Sequence, residues 1–235
     1  MNDKHLSSQF DSDLNQVCSR VLEMGGLVES QIVTAMQGLN TFDRNLVDEV
    51  IANEHRLNTM EVEIDDECSK IIARRQPTAR DLRLLLSISK TITNLERAGD
   101  EAEKIAKRTR HLLEDGAAQS VNFAEIKLSG EMAAQLLRRT LDAFARLDIV
   151  AAAEIVRDDK AIDNEFRGFV RKLVTYMMED PRTISAGLDF LFIAKAVERI
   201  GDHAKNIAEF IIYIVKGTDV RHISREDLQR KVQGE

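Results

Sequence analysis

An all-α fold, built as a tandem repeat of two three-helix bundles, is what this sequence predicts, on three observations. Apolar residues recur at helical spacing along nearly the whole chain, and no stretch alternates with period two long enough to propose a strand. The segment Glu96-Arg97-Ala98-Gly99-Asp100 returns 102 residues later as Glu198-Arg199-Ile200-Gly201-Asp202. The two prolines, Pro77 and Pro181, stand 104 residues apart at corresponding interruptions of the helical pattern.

The first helix is expected from about Phe10 to Leu39, with Val17, Val21, Met24, Val28, Ile32, Ala35, Met36 and Leu39 on its apolar side. A turn follows at Asn40 to Asp43. The second helix runs to about Arg75, carrying Val47, Val50, Ile51, Leu57, Ile64, Cys68, Ile71 and Ile72 on one face. It ends at Gln76-Pro77-Thr78, because the residue before proline avoids helical geometry. The third covers about Ala79 to Leu113, and Glu114 to Ser120, with its Asp115-Gly116, reads as a linker.

The plan then repeats. A fourth helix is expected over Val121 to Leu147, with a turn at Arg146-Leu147-Asp148 that matches Thr41-Phe42-Asp43. A fifth reaches about Glu179 and breaks at Asp180-Pro181-Arg182. A sixth spans about Ile184 to Val215, and the tail holds a short last helix from Ser224. The halves therefore divide into residues 1–115 and 116–235. Helices of about 30 residues are about 45 Å long, and short connections make neighbours antiparallel.

Composition narrows the function. The chain has 235 residues, 43% hydrophobic and 31% charged, with a net charge of −7. That balance argues against nucleic acid as a partner and against a polybasic membrane patch. Cys18 and Cys68 have no metal-site spacing and read as reduced thiols. The polar N-terminus is no signal peptide, and the longest apolar run, Phe210 to Val215, is too short to span a bilayer. A cytoplasmic location with no membrane insertion is expected.

The repeated segment carries the chemistry. Glu96 and Asp100 are four residues apart and share one helix face, as do Glu198 and Asp202. Glycine inside a helix costs about 1 kcal/mol relative to alanine, so its recurrence at Gly99 and Gly201 suggests close packing or a bound group. The preceding helices add Asp159 and Asp163 in the second half, and Glu54 with Asn58 at the aligned positions in the first. Facing across an antiparallel pair, such motifs gather three or four oxygen ligands, which suits Mg²⁺, Mn²⁺, Ca²⁺ or iron. Carboxylates four apart also arise in any acidic helix, as Glu61/Asp65 and Glu63/Glu67 do here without a repeat partner. Asp100 can reach Lys104, Arg97 and Arg199 read as charge-balancing side chains, and His203 reads as a surface histidine. No histidine follows a glutamate by three residues, as carboxylate-bridged di-iron bundles require. There is no Gly-rich phosphate loop and no nucleophile elbow, so no enzyme is expected.

Beyond the repeat, Ile72-Ala73-Arg74-Arg75-Gln76-Pro77-Thr78-Ala79-Arg80-Asp81-Leu82-Arg83 occupies the first break. Tyr176-Met177-Met178-Glu179-Asp180 precedes the second, and Val215-Lys216-Gly217 with Asp219 and Arg221-His222 stands near the end. With both Glu-Arg-x-Gly-Asp copies, these motifs in this order make the chain resemble the PhoU family over nearly its whole length. The resemblance implies metal sites formed by paired (Glu/Asp)-x-x-x-Asp motifs, which in some members hold multinuclear iron clusters. Here they would be Asp159, Asp163, Glu198 and Asp202 in the second half, and Glu54, Glu96 and Asp100 in the first. Iron, manganese, magnesium and zinc are the candidate ions. Asn58 departs from the acidic pattern, so the first site is expected to be the emptier. The resemblance also implies a cytosolic, homodimeric negative regulator of phosphate uptake and of the phosphate-starvation regulon. Such a protein links the ATPase side of a phosphate ABC transporter to a sensor histidine kinase. A metal-binding bundle with a redox or storage role, and a bundle whose acids are merely solvated, are the competing readings.

Overall fold

The computed structural model describes residues 8–116, 122–221, 223, 227 and 230–231. The linker residues 117–121 and most of the short last helix expected from Ser224 lie outside them. Among the described residues there is no strand. Among the described residues the α-helices run in order α1 (Ser8–Thr41), α2 (Arg44–Ala52), α3 (Glu54–Arg75), α4 (Ala79–Glu114), α5 (Ala124–Arg146), α6 (Ile149–Glu179) and α7 (Ile184–Lys216).

The expected second helix is interrupted once. Asn53 closes α2 by donating to the Val50 carbonyl at 3.3 Å and opens α3, where Arg56 N–H donates to the Asn53 carbonyl at 3.2 Å. Asparagine is a weak helix former whose polar group competes for the backbone, and no apolar periodicity is lost at the break. The matching turns before α2 and α6 are capped alike. Asp43 accepts from Asn45 N–H, and Asp148 accepts from the N–H groups of Val150 and Ala151, which satisfies donors the first helical turn leaves open. At the second proline break, Asp180 caps a single 3₁₀ turn, Pro181–Thr183.

The buried side chains of both halves form one continuous apolar cluster. Two layers join the halves: α1 lies on α5, and α4 lies on α7 in the most extensive helix contact of the molecule. The α4–α7 pair is antiparallel, since Arg108 meets Asp189, Glu101 meets Arg199 and Asn94 meets Asn206. α3 packs on α4 and α6 on α7, so each repeated acidic segment faces the preceding helix of its own half. No helix among the described residues is long and apolar enough to cross a membrane.

Candidate metal centre

In the second half, α6 presents Asp159 and Asp163 from successive turns of one face, and α7 presents Asp202 against them. One carboxylate oxygen from each lies within 4.8 Å of the others. Asp159 is only 2% exposed. Its Oδ2 lies 3.2 Å from Lys205 Nζ, which also stands 3.9 Å from Asp202 Oδ1. Its Oδ1 is buried and has no hydrogen-bond partner. Burial, reinforced by the charges of Asp202 and Asp163, pushes the Asp159 pKa up to about 6 against the pull of Lys205. Burial works against the charge of Lys205, but Asp159, Asp202 and Glu209 outweigh it and raise the ammonium pKa. A cation at this site would give Asp159 Oδ1 the partner it lacks and relieve the crowding of like charge. The donor set, all carboxylate oxygen, fits a hard or borderline ion.

Glu198 does not join this group. It lies one turn before Asp202, and its Oε2 accepts from Lys195 Nζ at 2.6 Å. The recurring glycine has a steric cause. A Cβ at Gly201 would stand 3.0 Å from Asp159 Oδ1 and 2.9 Å from Ile162 Cδ1. At Gly99 it would stand 2.4 Å from Leu57 Cδ1. Both glycines admit the side chains of the preceding helix close to their own backbone.

The first half gathers its acids more loosely. Glu54, Glu96 and Asp100 do not close to the spacing of the second-half triad. Asn58 Nδ2 donates to Glu54 Oε1 at 3.2 Å, while Asn58 Oδ1 is buried without a partner. Burial raises the Glu96 pKa, with Asp100, Glu61 and Glu54 adding repulsion. Burial likewise raises that of Asp100, where Glu54, Glu103 and Glu101 repel and Lys104 opposes. Lys104 pairs with Glu101 at 2.9 Å; the pairing with Asp100 that the four-residue spacing suggested is not made.

Two residues differ from, or escape, the sequence reading. Lys205 sits three residues after Asp202, but only the packing of α6 on α7 makes it the counter-ion of Asp159. His203, expected on the surface, is 7% exposed in the α4–α7 seam. The unrepeated acidic pairs have ordinary partners: Glu61 and Asp65 accept from Thr93 and Ser89, and Glu63 and Glu67 hold Arg20. Cys68 is buried and Cys18 half-buried, both free.

Comparison with known proteins places this architecture. The family model described as PhoU domain matches twice, over residues 21–109 and 126–211. The phosphate-specific transport system accessory protein PhoU homolog of Burkholderia sp is 58% identical over 232 residues, 98% of this chain and 99% of the relative. The accessory protein PhoU of Escherichia coli (strain K12) is 47% identical, over 98% of this chain and 95% of its own. Among solved structures, PhoU from Pseudomonas aeruginosa superimposes with a TM-score of 0.86 at 46% identity, covering 89% of this chain and all of that one. The phosphate transport system regulatory protein PhoU from Streptococcus pneumoniae gives 0.83 at 27% identity, covering 90% of this chain and 99% of that one.

Proposed function

The chain belongs to the PhoU family, and from that membership we propose that it is a cytoplasmic accessory regulator of a phosphate-specific transport system. The double domain match, with relatives named as accessory and regulatory proteins along nearly their whole length, carries this reading. Its finer content is an adaptor that docks on the cytosolic ATPase side of the transporter and on a sensor histidine kinase. It would act as a homodimer, restraining uptake and keeping phosphate-starvation genes off when phosphate is plentiful. Two long antiparallel helices, α4 and α7, lying side by side across both halves offer a rigid surface for such docking. Deleting the gene should make an alkaline phosphatase reporter constitutive in high phosphate. Repression that persists without the protein would overturn the reading.

Asp159, Asp163 and Asp202 would hold a metal ion that clamps α6 to α7. Glu54, Glu96, Asp100 and the Asn58 amide oxygen would serve α3 and α4 in the same way. The ion's contribution is positive charge among buried acids. Elemental analysis should find less bound metal in Asp159→Asn with Asp202→Asn than in the wild type; equal content would remove these residues from the ligand set.

A further inference from the structure

Among the described residues, five of the ten exposed large apolar side chains gather at one end of the α6–α7 pair. Val174, Ile184, Leu188 and Phe192 are 44–49% exposed, and Met178 is 79% exposed. They share one side of that pair. Leu173 and Met177 of α6 stand within 4 Å of where a Cβ of Gly187 on α7 would be. One residue on from this contact, Val174 and Met178 turn by about 100° round α6, and Leu188 turns by about 100° round α7. The helices are antiparallel, so both turns lead to the same outer side. Ile184 and Phe192 lie one helical turn before and after Leu188, along the same stripe. At its edges Arg108 of α4 lies over the Phe192 ring at 4.4 Å, and Lys195 lies over the Phe166 ring at 5.3 Å. Exposed apolar side chains gathered in this way mark an interaction surface.

Charge is the second observation. The net charge of −7 argues against a polybasic patch for the chain as a whole, but it is spread unevenly. Residues 166–195 carry five Lys/Arg against three Asp/Glu, a net of +2. Arg171 and Arg167 precede Val174 by three and seven residues, which places them on its flank. Both are exposed, and neither makes an ion pair among the described residues. Of the three acids, Asp189 is buried beneath Arg108 and His111, Asp180 is held by Arg182, and Glu179 alone is exposed. Asp202 of the metal groove comes ten residues after Phe192, about 15 Å further along α7. The fold does not demand this composition. At the positions matching Val174, Met178 and Phe192 the first half carries Lys70, Arg74 and Lys90.

We propose that this side of the α6–α7 pair docks on an anionic lipid surface, with Met178, Leu188 and Phe192 entering the headgroup boundary and Arg167 and Arg171 meeting lipid phosphates. A helix with an apolar stripe and flanking Arg or Lys lies in the plane of such an interface, buried by ~5–10 Å. Basic side chains close to an anionic leaflet add attraction charge by charge. The helices rest on the bilayer and do not cross it.

Co-sedimentation of the full-length protein with vesicles tests this, in a chelator so that no metal bridges the acidic grooves to lipid phosphate. Vesicles of phosphatidylglycerol mixed into phosphatidylcholine should bind the protein at least ~10-fold tighter than phosphatidylcholine alone. Arg167→Gln with Arg171→Gln should remove ~10-fold or more of that affinity. Met178→Gln with Phe192→Gln leaves the charge unchanged and should also cost ~10-fold or more, from lost apolar burial. Arg74 and Lys90 at the matching positions show that polar side chains suit the fold there. The chain has no tryptophan, so the emission of Met178→Trp should shift to the blue on the anionic vesicles, while that of Val33→Trp on α1 should not. No vesicle binding, equal binding to phosphatidylcholine alone, unchanged affinity in Met178→Gln with Phe192→Gln, or an unshifted Met178→Trp would each overturn the assignment. So would a lipid-free dimer that Met178→Gln with Phe192→Gln dissociates, since a second copy would then cover this side. Only protein and lipid enter the measurement, so its failure would leave the regulatory reading to the reporter strain.

Discussion

The two acidic grooves are copies that solve the same electrostatic problem differently. In the second half Asp159, Asp163 and Asp202 converge, and Lys205 lies among them as an internal counter-ion. In the first half the position matching Lys205 is Glu103, whose oxygen turns to Lys107 at 2.7 Å. The first groove has no ammonium of its own there, and Glu103 instead helps raise the Asp100 pKa. The second groove is thus the tighter ligand set but already holds a cation that an incoming metal must displace. The first is looser, and its charge is opposed only from a distance, by Arg97 at Glu96 and by Lys104 at Asp100. Sequence spacing ranks the second site higher by its extra aspartate; the structure shows that Lys205 sets a cost against that advantage.

The largest effect should appear in the pH dependence of stability. Asp159 binds its proton more tightly in the fold, at about 6, than unfolded, near 3.8. The native state then carries the extra proton between those values, so stability falls as pH rises through this interval. His203 tilts the profile the other way. Burial first, then Arg199, Arg97 and Lys104, lower its pKa to about 4, so stability lost on acidification returns as pH rises towards 6.5. The difference between wild type and Asp159→Asn isolates the carboxylate. In metal-free urea melts, wild type should lose about 3 kcal/mol relative to the variant from pH 3 to pH 8, most of it between pH 4 and pH 6. A flat difference would mean that Lys205 fully neutralises Asp159.

Lys205→Met separates the grooves further. Breaking a fully buried pair costs about 3–5 kcal/mol, and Lys205 is one-third exposed, so a loss of about 2 kcal/mol is expected in metal-free melts at neutral pH. Added Mn²⁺ should recover more stability in this variant than in wild type, since the competing ammonium is gone. Equal recovery would show that Lys205 and the metal do not share the groove.

Much of the frame was legible from residues alone. Pro77 and Pro181 marked the breaks, the apolar spacing named the buried faces, and the repeated glycine announced a close approach that Leu57 and Ile162 supply. What escaped depends on how one helix is rotated against the next. Lys205 follows Asp202 by three residues, a spacing that suggests a surface pair along α7, yet its nearer partner is Asp159 on α6. Glu198 belongs to the motif by sequence, but Lys195 on its own helix holds it. His203 read as a surface residue because its counterpart in the repeat is the acid Glu101, while the antiparallel fit of α4 on α7 buries both. Asn53 interrupts its helix without disturbing the apolar pattern, so periodicity could not register the break.

The glycines should give a smaller, asymmetric effect. Alanine at either position gains about 1 kcal/mol of helix propensity and pays about 1–3 kcal/mol for overpacking. Gly99→Ala meets the end of the Leu57 side chain, which can give way. Gly201→Ala meets Ile162 and the carboxylate of Asp159. Thermal melts should show a net loss of about 1 kcal/mol in each, while only Gly201→Ala should weaken Mn²⁺ binding at the second groove. Loss of binding in neither would place the metal away from Asp159.

The smallest effect is the most direct trial of the comparison. Position 103 matches 205 and position 107 matches 209, and the charges are reversed between the halves: Glu103 and Lys107 against Lys205 and Glu209. Glu103→Lys with Lys107→Glu gives the first half the order of the second while conserving net charge. Lys at 103 would face the Glu54 side of the groove, as Lys205 faces Asp159, and remove the Glu103 charge that raises the Asp100 pKa. The swapped pair keeps the four-residue spacing but with base before acid, the weaker orientation, at a cost of a few tenths of a kcal/mol. Relief of the repulsion should leave a net gain of about 0.5 kcal/mol in the metal-free protein, within the range of a partly exposed ion pair. Metal binding in the first half should fall, because the groove now carries its own cation. If the swap instead left both stability and metal binding unchanged, the difference at these positions would not be what distinguishes the grooves, and the looser spacing of Glu54, Glu96 and Asp100 would have to account for it alone.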